Sequence, residues 1–169
     1  MIAYEAMQFA RRVHATQVRK YTGNPYADHL AEVTGIAMSV GWHLPWPHPD
    51  EFMATCWLHD CVEDQKIGID ELLARFGTNV AGAVILLSDM EEGNRAERKA
   101  QSRARLAGAP AWVQTIKVAD LISNTSSIVQ HDPKFAVVYL EEKRLLLDAL
   151  TRADERLVAV ARAQIGGAA

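Results

Sequence analysis

His59 and Asp60 stand side by side in an apolar stretch, with Glu63 and Asp64 close behind. On a helix these four polar residues form two i,i+4 pairs that project along one edge. Desolvating three neighbouring carboxylates costs on the order of several kcal/mol unless a cation, a ligand or basic groups compensate. A divalent metal is the economical answer. Imidazole and carboxylate ligands suit Mn²⁺, Fe²⁺ or Zn²⁺, and the absence of a nearby thiolate pair argues against a closed structural zinc site. Open coordination positions then remain for water and substrate. His29, at the start of another helical stretch, and Asp120, in the middle of Ile116-Lys117-Val118-Ala119-Asp120-Leu121-Ile122, are further candidates. A lone core histidine or a lone helical Asp is usually structural, but four such residues together favour a metal centre.

The elements that must carry these residues read as helices throughout. Met7, Ala10 and Val13 recur at helical spacing, predicting a helix from Tyr4 to about Val18. Thr22-Gly23-Asn24-Pro25 breaks it, and Ala27 to Val40 resumes the period. Asp50 is expected to cap a helix from Glu51 to about Asp64, which would place His59-Asp60 inside it. A short helix over Gly68 to Phe76 should end at Gly77, with Thr78 capping an apolar helix through Leu87. Asp89 to Arg105 is strongly charged, and an apolar helix is expected from Trp112 to about Val129. Asp132-Pro133 reads as an N-cap with proline at the first helical position, and Thr151 as the cap of a last helix ending near Ile165. No stretch alternates as a strand does, so the fold class is all-α, a single compact bundle of about eight helices.

With these residues in place, the ordered set His29, His59-Asp60 and Asp120 resembles the H…HD…D signature of the HD superfamily. RKYTGNPYADH (Arg19 to His29), HDCVEDQ (His59 to Gln65) and KVADLISNTSSI (Lys117 to Ile128) are similar to motifs of the RelA/SpoT-type hydrolase domain and the small alarmone hydrolases. The resemblance covers roughly Tyr4 to Leu150. It implies a hydrolase domain over 1–150, with 151–169 as a helix packing on it and a frayed tail. It also implies Mn²⁺, or another divalent metal, held by His29, His59, Asp60 and Asp120. The implied reaction is hydrolysis of the 3′-pyrophosphate of a guanosine alarmone to GDP or GTP plus pyrophosphate. Glu63 and Asp64 would orient the attacking water and handle its protons. Arg19, Lys20 and Asn124 match nucleotide- or phosphate-contacting positions of the family. Arg95, Arg98 and Lys99 fall in its substrate-side element, although a solvated helix face is the plainer reading of each. Tyr139 and Lys143 fall near a nucleotide-contact region, and a helix-surface role suits them equally.

Departures from the pattern bear on the substrate. Gln65 stands where threonine is usual, Leu30 where proline often follows the histidine, and Ser126 and Ser127 where many relatives carry arginine. These leave open an adenosine alarmone, or a phosphomonoesterase acting on another nucleotide such as NADPH. A nucleotide sensor without turnover is a third reading, disfavoured by the presence of Glu63 and Asp64.

Composition limits the remaining classes. With 18 Lys plus Arg against 21 Asp plus Glu, the net charge of -3 argues against a generic nucleic-acid binder. Cys56 and Cys61 match neither a CxxC motif nor a disulfide framework and read as reduced, buried thiols. No apolar run is long enough for a membrane span and no signal core follows the start. The expectation is a soluble cytoplasmic protein acting on a small nucleotide, with homo-oligomerisation left open. Trp42, His43, Trp46 and His48 are read as a proline-rich loop packing over the helices. His14 is read as forming a structural hydrogen bond, and His131 as having no function.

Overall fold

The computed structural model describes residues 1–41 and 48–167; the reading of Trp42, His43 and Trp46 as a packed loop lies outside them. Nine helical segments form among the described residues: α1 (Ile2–Val13), α2 (Tyr26–Gly41), α3 (Pro49–Leu58), α4 (Cys61–Gln65), α5 (Ile69–Leu87), α6 (Arg95–Ala107), α7 (Ala111–His131), α8 (Pro133–Ala149) and α9 (Glu155–Gly166). Their only β pairing is an isolated bridge between Val18 and Pro25. The class is all-α, as the spacing predicts. No described helix is long and apolar enough to cross a membrane. The chain divides into two compact units, Met1–Met90 and Glu91–Ala169.

In the first unit, α1, α2 and α5 all pack on α3, and α4 touches α1 and α5. Phe9, Leu30, Trp57, Leu58, Leu72, Phe76, Val80 and Val84 form its core. Each such side chain contributes about 1.5–3 kcal/mol on leaving water. Phe9 and Phe76 meet edge to face at 5.5 Å, joining α1 to α5. At Gly41, a Cβ would fall 2.2 Å from the Phe52 ring, so only glycine lets the end of α2 approach α3 this closely.

Three expected boundaries are corrected here. α1 stops at Val13 rather than Val18, because Val18 enters the bridge to Pro25 and Arg19 N–H bonds Asn24 O. Asp50 does not cap its own helix. His48 does so by accepting from Asp50 N–H, while the Asp50 carboxylate accepts from Ile2 N–H (2.7 Å) and Ala3 N–H (3.3 Å), capping α1 instead. The run from Glu51 to Asp64 is interrupted at His59–Asp60, where Asp60 adopts φ -101° and ψ -1°. That is the bridge region of backbone space, and it separates α3 from α4. Gly77 makes the expected break within α5, at φ 79° and ψ 173°.

In the second unit, α7 packs on α8 and α9, and α8 also contacts α6 and α9. Asn94 and Glu97 form a reciprocal capping box that starts α6 within the charged segment. The buried Gln114 amide donates to the Leu106, Ala107 and Ala109 carbonyls and accepts from Arg152 N–H, tying the end of α6 to the turn before α9. Asp132 and Pro133 open α8 as expected. The last helix begins at Glu155, capped by Asp154 rather than Thr151. Asp154 N–H is bonded to Thr115 Oγ1, and the segment ahead of it is a turn closed by Ala153 N–H on Leu150 O.

Candidate active site

In the first unit, the second helix and the break between α3 and α4 bring three side chains onto one carboxylate oxygen. Asp60 Oδ2 accepts a hydrogen bond from Tyr26 Oη at 2.7 Å and lies 3.0 Å from His59 Nε2 and 3.5 Å from His29 Nε2. Both imidazoles are buried, their ring centroids 5.4 Å apart, whereas Asp60 keeps 16% of its side chain exposed. His59 Nδ1 lies 2.8 Å from the Cys56 carbonyl, which can only accept, so Nδ1 carries the hydrogen. In the neutral form, the ring aims its Nε2 lone pair at a carboxylate oxygen. Two acceptors at that separation require a proton or a cation, and a histidine whose far nitrogen is anchored on a backbone carbonyl is oriented as metal-binding histidines are. The donor set therefore fits a divalent ion.

Asp120 lies in the second unit, buried on α7, where both oxygens are held from its own helix. Lys117 Nζ donates to Oδ2 at 2.9 Å and Asn124 Nδ2 to Oδ1 at 2.6 Å. The i-3 and i+4 spacing puts all three groups on one helix face. Asn124, expected at the nucleotide, is thus a direct partner of Asp120.

Glu63 and Asp64 both fall on α4, one turn beyond His59–Asp60. Glu63 Oε2 accepts from Asp89 N–H at 2.8 Å, and Asp64 Oδ2 accepts from Gln17 Nε2 at 2.7 Å. Each carboxylate therefore has one oriented oxygen. Asp64 is exposed and Glu63 partly so, leaving room for water.

The expected basic residues have partners within the protein. Arg19 pairs with Glu32 at 3.6 Å, and Lys20 lies over the Tyr21 ring at 4.8 Å. In the second unit, Arg95 makes a two-pronged contact to Glu142 at 2.6 and 2.8 Å and lies over the Phe135 ring at 5.1 Å. Glu142 holds the Arg95 guanidinium above its ordinary range. Arg98 donates to Gly93 O, and Lys99 is half-buried on α6. Tyr139 has its hydroxyl 3.5 Å from Thr125 Oγ1, with burial raising it to about 12. Lys143 is buried rather than on the helix surface, donating to Thr125 Oγ1 (2.8 Å) and Gln164 Oε1 (2.7 Å).

Tyr26, Gln17 and Lys117 were not singled out by sequence reasoning. Tyr26 and Lys117 each precede a candidate ligand by three residues, so helical spacing alone puts them on the same face as His29 and Asp120. Gln17 sits in irregular chain and carries no periodic signal.

A family model described as the HD domain matches residues 6–111. A probable guanosine-3′,5′-bis(diphosphate) 3′-pyrophosphohydrolase of Synechocystis sp. is 33% identical over 136 residues, 76% of this chain and 17% of that one. A GTP pyrophosphokinase of Streptomyces coelicolor is 34% identical over 70% of this chain and 14% of its own. The chain thus spans less than a fifth of these two relatives. The guanosine-3′,5′-bis(diphosphate) 3′-pyrophosphohydrolase MESH1 of Drosophila melanogaster is 28% identical, covering 76% of this chain and 70% of that protein. Among solved structures, a metazoan ortholog of SpoT superposes with a TM-score of 0.86 at 23% identity over 98% of this chain and 94% of that one. The lmo0812 protein of Listeria monocytogenes does so at 0.70 and 21% identity, over 88% of this chain and 98% of that one. Both likenesses concern the fold.

Proposed function

We propose that this chain, which belongs to the HD-domain family, hydrolyses the 3′-pyrophosphate of (p)ppGpp-like alarmones to GDP or GTP plus pyrophosphate in a metal-dependent reaction. The observation that carries this is the convergence of two buried imidazoles on Asp60 Oδ2, with the His59 lone pair aimed at it. The substrate class is supported by two relatives named as guanosine-3′,5′-bis(diphosphate) 3′-pyrophosphohydrolases, one of which is matched over most of its length.

In this reading His29, His59, Asp60 and Asp120 hold one divalent ion, with Mn²⁺ as the expected metal. When bound, it supplies Lewis-acid charge for phosphoryl oxygens and lowers the pKa of water. Tyr26 and the Cys56 carbonyl keep Asp60 and His59 in orientation, and Lys117 and Asn124 do the same for Asp120. Glu63 and Asp64 orient the water and accept its proton as its oxygen attacks the phosphorus next to the ribose 3′-oxygen. The P–O3′ bond breaks, the 3′-oxygen takes up a proton and pyrophosphate leaves. Arg19, Lys20, Asn124, Arg95, Arg98, Lys99 and Tyr139 are the proposed substrate contacts, and guanidinium groups suit both phosphate pairing and base stacking. For Arg95 this requires release from Glu142. The net charge of -3 accords with a free nucleotide as substrate rather than a nucleic acid, and a cytoplasmic setting follows from that substrate.

Glu63→Gln and Asp64→Asn test the assignment. Each is expected to lower turnover by about 10²–10⁴-fold while divalent-ion binding, measured by titration calorimetry, stays at the wild-type level. Retained turnover in both variants would remove these carboxylates from the reaction.

A further inference from the structure

We infer that His14 and Gln17 are positioning residues for the Asp64 carboxylate, holding it through a hydrogen-bond chain of fixed direction that begins at the Cys61 thiol. The inference rests on the reading of Asp64 as a catalytic carboxylate. Asp64 Oδ2 can only accept, so the Gln17 group 2.7 Å away must be its amide nitrogen. That turns Gln17 Oε1 to the other side, where His14 Nδ1 lies at 2.6 Å and Gln65 Nε2 also donates to it. Reversing the amide would set its oxygen against the Asp64 carboxylate. The orientation of Gln17 is therefore locked.

The lock fixes the histidine as well. His14 Nδ1 carries the hydrogen that Gln17 Oε1 accepts, and the other ring nitrogen, Nε2, faces Cys61 Sγ at 3.6 Å. Cys61 is fully buried, and its thiol is the hydrogen-bond donor that faces Nε2. Donors and acceptors then run in one sense from Cys61 through His14 and Gln17 to Asp64. The His14 ring is itself buried and stacks on Tyr26 at 5.1 Å and 17°, and Tyr26 donates to Asp60. One stacked pair thus braces both Asp60 and Asp64. The early end of α1 serves this arrangement, since Gln17 N–H bonds His14 O and Gln17 O accepts from Tyr26 N–H, pinning the segment beside α2. Gln65, a departure from the family pattern, acquires a role as the second donor to Gln17.

Four variants, assayed with Mn²⁺ and a 3′-pyrophosphorylated guanosine, test this. They are Asp64→Asn, Gln17→Leu, His14→Asn, whose Nδ2 can replace Nδ1, and His14→Gln, whose amide reaches the Nε2 position. Gln17→Leu and His14→Gln are expected to lower kcat about 10–100-fold with KM changed less than about twofold, while His14→Asn stays within about threefold of wild type. Divalent-ion affinity should be unchanged in all of them. In the Zn²⁺-loaded wild-type protein, ¹⁵N chemical shifts of His14 should report the Nδ1–H tautomer. An Nε2–H tautomer, an unchanged kcat in Gln17→Leu, or equal losses in both His14 variants that follow their loss of thermal stability would overturn the inference. Full activity in Asp64→Asn would instead reject the reading of Asp64, and the inference with it.

Discussion

Asp60 Oδ2 receives a hydrogen bond from Tyr26 and faces the Nε2 atoms of two buried histidines, of which His59 is held in its tautomer by the Cys56 carbonyl. At this scale His59→Ala removes an oriented donor outright. It is expected to lower Mn²⁺ affinity by on the order of 100-fold or more and to take turnover with it, read by calorimetric titration and rate together. Wild-type affinity in that variant would refute the ligand role. The candidate ligands were legible because each is a polar residue where helical spacing demands an apolar one. Their supports were less so. Gln17 acts from irregular chain, and the capping role of Asp50 at Ile2 joins residues 48 apart, a pairing that no local pattern encodes.

Among the elements, the break at Gly77 was readable because a glycine interrupts an otherwise continuous apolar period. Its φ of 79° and ψ of 173° belong to a region essentially confined to glycine, so Gly77→Ala should cost about 1–3 kcal/mol in denaturant unfolding. No change in midpoint would show that the kink can relax. The break at His59–Asp60 was not readable. Nothing in the composition of that run favours an end, and the interruption follows from where Asp60 must point. Lys143 is a second case, since its spacing on α8 was equally compatible with the surface. Its ammonium is buried against the neutral Thr125 and Gln164, and burial lowers it to about 8. Between pH 8 and about 10.4, the ordinary lysine value, the unfolded chain binds the proton that the folded chain has lost. Stability should therefore rise with pH across that window and carry the full cost of the buried charge below it. Denaturation midpoints at pH 7 and pH 10 should show this rise in the wild type and a smaller one in Lys143→Met. The same rise in the variant would assign it to other groups.

For the whole molecule, the absence of strand patterning led to the all-α class, the nucleotide-hydrolase expectation came from the resemblance of three ordered motifs, and the HD family match runs across the division at Met90 and Glu91. The division was not legible, because helical periodicity reports which face of each helix is apolar and not which helices share a core. Substrate identity is the property furthest from the sequence, since Leu30 lies in the core and Gln65 donates to Gln17, while Ser126 and Ser127 stand where the resembled pattern carries arginine and so leave the base unranked. The most direct measurement is an Mn²⁺-supplemented assay offering guanosine and adenosine 3′-pyrophosphates and NADPH separately, with pyrophosphate resolved from orthophosphate among the products. Pyrophosphate released from the guanosine substrate, together with GDP or GTP, is the expected result; orthophosphate alone, or no turnover of any of the three with metal bound, would contradict it.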